Sequence, residues 1–327
     1  MADSELSPRA ALAQWMAAHP PEFDLGRSAG GLADWQGQLR ERLWVLLGGR
    51  VDQVKPDLRL DVPTAGEGFS VRRVTYTTEP GVRAAALLLT PDPGRRRPGG
   101  VLALHGHGGG KDDPLAAGSY GAFAAETARR GYLTLVPDAR GFGERADAGR
   151  GCAIVGLSSL LLGRPIAGQR CHDDIAALSL LRALSGSRRL GVVGLSEGGK
   201  RTLLVAALDE RVTVAVVSGY FTRVRAEITE WDRLAGWDIC NAIPGLAALA
   251  DLPEVAALCI PRALCVDWGR QDGGLYTPAA VEEAAAAVAA AYAREGVAER
   301  FHLHAFDGDH RFGGAPVLDW LEAALGQ

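Results

Sequence analysis

A chain of 327 residues, 47% hydrophobic and 23% charged, is long enough for one large core or two small ones. A formal charge of −4, from 35 Lys and Arg against 39 Asp and Glu, leaves no basic footprint for nucleic acid. Five cysteines without tight spacing make no disulfide framework and favour a reducing, cytoplasmic setting; no signal-peptide pattern and no bilayer-length apolar stretch is found.

In chain order, residues 1–65 read as a helical extension. Its "LADWQGQLRERLWVLLGG" sets Trp35, Leu39, Leu43 and Leu46 at near-helical spacing and stops at Gly48-Gly49, a C-cap signal. From about residue 66 a second pattern begins, expected to be one catalytic domain. "FSVRRVTYTT" alternates as a half-exposed strand and pairs with "VRAAALLLT" across Pro80-Gly81 as a hairpin; the basic "GRRRPGG" beyond it reads as a solvated loop. Apolar runs follow at 101–105, 132–137, 190–195, 212–219, 262–268 and 301–306. Helical patterns lie at 119–130, 172–185, 197–208, 278–294 and 316–325. Continuous apolar strands separated by helices predict an α/β fold, a mostly parallel sheet covered on both faces. Two connections, 141–170 and 220–261, are too long for plain crossovers and read as lid-like insertions.

The pattern G-x-S-x-G occurs twice. At Gly194–Gly198 a buried-type strand leads directly into Ser196, and a helix starts at Glu197, the context a strained nucleophile turn needs. At Gly26–Gly30 no strand precedes Ser28, and that match reads as accidental. A serine nucleophile needs a base, and the base needs an orienting carboxylate. Asp272, four residues beyond the 262–268 strand, supplies the carboxylate; Asp267, inside the strand, is its rival. His310, four residues beyond Phe306, supplies the base. A tetrahedral oxyanion needs two donors, expected from the backbone N–H groups of His107, in "HGHGGGK", and Glu197. The spacing lacks the phosphate-loop signature. His105-x-His107 has no Cys or carboxylate at ligand-like spacing beside it, and "HLHAFDGDH" is weak as a ligand set, so neither a metal nor another cofactor is expected. Phe221, Trp231, Trp237 and Trp268 are candidates for an aromatic substrate pocket.

Together "LHGHGGGK", "LVPDARGFGER", "GVVGLSEGG", "SGYF", "IPGL", "GRQD" and "GDHRFGG" resemble the α/β-hydrolase superfamily, in its dienelactone hydrolase and acetyl xylan esterase-like branch, over about residues 35–325. The resemblance implies that Asp138 and Arg140 buttress the site through the loop bearing Gly141 and Gly143. Glu197 departs from the Gly, Met or Gln often found after the nucleophile; its carboxylate is placed either to perturb His310 or to repel anionic substrates. The expected activity is hydrolysis of a carboxylic ester of a small or medium molecule through an acyl-enzyme, of esterase or deacetylase type. Acyl transfer and carbon–carbon bond hydrolysis on the same triad are the alternatives, and an inactive binding protein is a further one. The expected partner is a small ester, with neither nucleic acid nor membrane, and a homodimer is left open.

Overall fold

The computed structural model describes residues 6–26, 31–52, 54–147, 151–234, 237–272 and 276–326. Ser28, of the second G-x-S-x-G match, and Gly273-Gly274, beside Asp272, lie outside these residues.

Among the described residues, ten strands form one sheet: β1 (Arg59–Leu60), β2 (Thr64–Ala65), β3 (Phe69–Glu79), β4 (Val82–Pro91), β5 (Gly100–Leu104), β6 (Leu133–Pro137), β7 (Leu190–Leu195), β8 (Val214–Ser218), β9 (Ala263–Gly269) and β10 (Phe301–Phe306). Their order among the described residues is β1-β3-β4-β6-β5-β7-β8-β9-β10, with β2 also on β3. Strands β6, β5, β7, β8, β9 and β10 run parallel, while β4 meets β6 antiparallel. β1 and β2 fall where the sequence reads as helical extension; they are two-residue pairings on the edge strand β3, too short to leave a period.

The helices are α1 (Pro8–Ala18), α2 (Leu32–Leu46), α3 (Phe123–Arg129), α4 (Cys152–Leu161), α5 (Ile166–Ser185), α6 (Glu197–Leu208), α7 (Val224–Glu227), α8 (Trp231–Leu234), α9 (Leu246–Leu249), α10 (Leu252–Ala257), α11 (Pro278–Arg294) and α12 (Ala315–Gly326). Successive strand residues point to opposite faces, and both faces are dry. Leu102, Leu104 and Val192 join a core with α2, α5, α6, α10 and α11; Val101, Ala103, Val193 and Leu195 join another with α3 and α12. This two-sided burial is why the strands read as unbroken apolar runs.

In α2 the predicted stripe is present: Trp35, Leu39 and Leu43 are buried, with Leu46 packed at the margin. Gln36, which the apolar pattern passes over, is also buried; its Nε2 donates to the carbonyls of Ala257 and Ile260 at 2.8 and 2.9 Å. The long connections carry α4 in one case and α7–α10 in the other. No single described helix is long and apolar enough to cross a membrane.

Candidate active site

The site forms at the carboxyl ends of the parallel strands, where β5, β7, β9 and β10 release their loops. Ser196 has φ 61° and ψ −121°, a positive-φ conformation that a non-glycine residue holds only when its surroundings impose it. Its N–H donates to the Ser218 carbonyl at 2.8 Å, and its own carbonyl accepts from Lys200 N at 3.0 Å as α6 begins. The turn is so tight that a Cβ on Gly194 would strike the Gly198 carbonyl, and a Cβ on Gly198 would strike the Leu104 carbonyl. Those contacts explain the two glycines of the motif.

His310 Nδ1 lies 2.7 Å from Asp272 Oδ2, with Asp272 buried and the imidazole part-exposed. The ring packs beside Gly219, where an added Cβ would sit 3.0 Å from both His310 Cε1 and the Leu195 side chain. His310 thus stands next to the segment that holds the Ser196 N–H. Asp267 has other partners: Ser218 Oγ at 2.6 Å, His304 Nδ1 at 2.9 Å and Gly313 N at 2.9 Å. It ties the β8 end to the loop after His310.

The loop after β5 is fixed almost donor by donor. Gly106 N donates to Tyr120 Oη at 2.9 Å, Gly109 N to Asp113 Oδ2 at 2.7 Å, and Lys111 N to Asp138 Oδ1 at 2.7 Å. Asp138 Oδ2 also takes Lys111 Nζ and Glu144 N, each at 3.0 Å, and its carboxylate fills the space where a Gly143 side chain would stand. Arg140 makes a two-pronged pair with Asp173 at 2.7 and 2.9 Å. His105 is fully buried; Nε2 accepts from Ala139 N at 3.0 Å, so Nδ1 carries the proton it donates to the Gly106 carbonyl at 2.7 Å. Burial, joined by the charge of Arg201, holds this imidazole neutral by pulling its pKa well down. Among the described residues, the N–H groups of His107 and Glu197 have no protein acceptor. Glu197 is the first residue of α6, where a helix leaves its N–H groups unpaired and its dipole favours negative charge.

The Glu197 side chain turns away from His310. It is buried between Arg170 Nη1 and Lys200 Nζ, each at 2.6 Å. Burial alone would raise its pKa, but Lys200 and Arg170 outweigh burial and hold it below the usual carboxylate value. Neither perturbation of His310 through a direct contact nor an exposed anion facing substrate fits this placement.

A cavity of about 230 Å³ opens at Ser196, lined by His107, Tyr220, Trp237, Asp238, Asn241 and Tyr276. Of the four aromatic candidates, Trp237 is on its wall. Phe221 and Trp268 are instead buried in the core beneath the sheet's end, and Trp231 is 44% exposed on α8. Tyr220 and Tyr276 complete an aromatic cluster with Trp237, ring centroids 6.0–6.1 Å apart. Tyr220, in "SGYF", directly follows the β8 loop and had a positional signal; Tyr276 had none. A larger depression of about 670 Å³ lies at the opposite end of the strands, near Leu190, Thr213 and Arg262, far from the serine.

Beside Ser196, His107 Nε2 lies 2.8 Å from Cys152 Sγ and 2.9 Å from Asp238 Oδ2, and Cys240 joins the group. Hydrogen bonding from Cys152 pulls the Cys240 thiol well down despite burial, with His107 adding to the effect.

No protein-family model matches the chain. A Bacillus subtilis (strain 168) protein, YtaP, provisionally named a hydrolase, is 29% identical over 215 residues, 62% of this chain and 70% of its own length. Among solved structures, a Bacteroides fragilis NCTC 9343 protein provisionally named an acetyl xylan esterase superposes with TM-score 0.81 at 17% identity, over 98% of this chain and 95% of its own. A glucuronoyl esterase from Solibacter usitatus gives TM-score 0.68 at 16% identity, over 92% and 95%. Acetyl xylan esterase 1 from Thermoanaerobacterium sp. JW/SL YS485 gives TM-score 0.57 at 17% identity, over 96% and 98%. At such identities the likeness is one of fold.

Proposed function

On the α/β-hydrolase fold that this chain has, we propose a serine esterase that removes a short acyl group, acetyl above all, from a small or medium alcohol such as a sugar. The observation that carries the reading is the 2.7 Å His310–Asp272 pair, held at the same sheet edge as a serine strained into positive φ. Ser196 Oγ attacks the ester carbonyl and gives its proton to His310 Nε2. Asp272 fixes the ring by accepting from Nδ1–H and stabilises the imidazolium that forms. The carbonyl oxygen becomes an oxyanion between the N–H groups of His107 and Glu197, which need no reorganisation to receive it. Collapse expels the alcohol, which takes the proton from His310. Water then repeats the sequence on the acyl-enzyme, releases the acid and restores the serine.

A short acyl group suits the cavity. Its volume, about 230 Å³, is below the range of about 300–1,000 Å³ usual for drug-sized ligands, and three aromatic rings bound it. The names of the structural neighbours, acetyl xylan esterase and glucuronoyl esterase, favour a carbohydrate ester over other alcohols. The test is hydrolysis of chromogenic acetyl, butyryl and octanoyl esters by wild type and Ser196→Ala. We expect acetate to be the best substrate and the variant to lose about 10⁴-fold or more in kcat with an unchanged melting temperature. A folded Ser196→Ala protein retaining a tenth of wild-type turnover rejects the nucleophile. A serine-directed phosphonate should label Ser196 and spare Ser28.

A further inference from the structure

The two insertions and the oxyanion loop meet at a group of side chains that the ester chemistry does not use. His107 comes from the loop after β5, Cys152 from the first residue of α4, and Asp238 and Cys240 from the segment before α9. One ligand atom from each, an imidazole nitrogen, two sulfurs and a carboxylate oxygen, lies within 4.8 Å of every other. We propose that His107 Nε2, Cys152 Sγ, Asp238 Oδ2 and Cys240 Sγ bind a divalent zinc-like cation beside the catalytic serine.

Tetrahedral zinc sits about 2.3 Å from sulfur and about 2.0–2.2 Å from nitrogen or carboxylate oxygen, so its donors stand roughly 3.3–3.8 Å apart. Here His107 Nε2 is 2.8 Å from Cys152 Sγ and 2.9 Å from Asp238 Oδ2, while Cys152 Sγ is 3.5 Å from Asp238 Oδ2. Side-chain movements of under about 1 Å would open these contacts to coordination distances. Two sulfurs and an imidazole select a borderline-soft cation over magnesium or calcium, which take oxygen ligands. Binding takes both cysteines as thiolates, and whichever sulfur still carries a proton releases it to solvent.

The surroundings balance the charge. A dication with two thiolates and one carboxylate carries one net negative charge. Arg170 and Lys200, both buried and set against Glu197, supply one net positive charge next to it. Arg170 donates to Glu197 Oε1 and to the Arg140 carbonyl, and Lys200 donates to the Cys240 carbonyl. The bound cation would tie both insertions to the loop that carries the His107 N–H, fixing the wall of the cavity. Binding itself does not depend on the esterase reading.

The test is cobalt titration of reduced, chelator-stripped full-length protein, followed by competition with zinc. We expect one cobalt per chain, with thiolate-to-cobalt charge-transfer absorption and tetrahedral d–d bands that zinc abolishes. Cys152→Ser and Cys240→Ser each leave one thiolate, so each should lower the charge-transfer absorption to about half and weaken cobalt binding while keeping the far-UV circular dichroism of the stripped wild type. Should Cys240→Ser fail to fold, Cys152→Ser with Asp238→Asn decides, through a weakened band in the first and weakened cobalt affinity in the second. The proposal is overturned if reduced wild type shows no such band, or if both cysteine variants keep it at full wild-type intensity. It is equally overturned if wild type, kept reduced throughout, takes up no cobalt while air converts it to a Cys152–Cys240 disulfide, seen as a mass lower by two hydrogens.

Discussion

Two carboxylates compete for the third place in the proposed triad, and their partners separate them. Asp272 has His310 at 2.7 Å, whereas Asp267 serves Ser218, His304 and Gly313. Asp272→Asn should lower kcat by about 10²–10⁴ with little change in melting temperature, because the histidine loses its orienting acceptor. Asp267→Asn should act mainly through stability, costing about 1–3 kcal/mol as Ser218, His304 and Gly313 lose a carboxylate acceptor. Steady-state kinetics and denaturant melts on both variants check the pair; the reverse pattern reassigns the acid. Glu197 is a residue-scale case of a different kind. Its side chain neutralises Arg170 and Lys200, so Glu197→Gln leaves buried cations without a counter-charge and should cost about 3–5 kcal/mol near neutral pH. The folded carboxyl titrates below its ordinary value. Its stabilisation is therefore full above the ordinary carboxylate range and is lost as pH falls through the depressed folded value. The stability gap between wild type and Glu197→Gln should close over that acid window, measured by urea melts across pH.

At the scale of elements, the turn that carries Ser196, the proposed nucleophile, is made by β7 and α6 approaching β5 so closely that no side chain fits between them. Gly198 abuts the Leu104 and His105 carbonyls, and Gly194 abuts Gly198. Neither glycine has a positive φ, so what each position demands is space and not backbone freedom. Gly198→Ala must push α6 off β5. That displacement moves Ser196 and the Glu197 N–H together, since one is the cap and the other the first residue of the helix. We expect a stability loss of about 1–3 kcal/mol from overpacking, and a fall in kcat larger than that loss explains. Parallel melts and initial rates with the acetyl ester check the prediction; equal activity in wild type and variant would show that the helix end is not held against β5.

For the molecule as a whole, α2 is not a loose leader but one wall of a core. Trp35, Leu39 and Leu43 pack with residues of α5, α6, α10 and α11, and Gln36 caps the Ala257 and Ile260 carbonyls. Arg40 adds donors to the Ala207 and Leu258 carbonyls at 3.0 and 2.8 Å. Gln36→Leu should leave the two buried carbonyls without their donor and cost about 1–3 kcal/mol. Among the described residues the Gln36 hydrogen bonds go to neither the proposed triad nor the cavity wall, so kcat/KM for the acetyl ester should stay near wild type in the folded fraction. A urea midpoint lowered with unchanged kcat/KM is the expected result, and an unchanged midpoint would show that α2 contributes no such clamp.

Local order along the chain was sufficient for much of this. Strand–Ser196–helix, Asp272 past one strand and His310 past another are signals written within a few residues, because strand burial, glycine spacing and loop position are local consequences of local composition. The helix face Trp35, Leu39 and Leu43 was legible for the same reason. What stayed hidden depends on which distant segments the sheet order brings together. The Glu197 carboxylate found its cations on α5 and one turn along α6; Phe221 and Trp268 went to the core while Tyr276 reached the cavity. His107 had no ligand-like neighbour in sequence, yet Cys152, Asp238 and Cys240 arrive beside it from two separate insertions. Periodicity reports which way a side chain faces on its own element. Which other side chain it meets is fixed only when the parallel strands set their loops side by side at one edge.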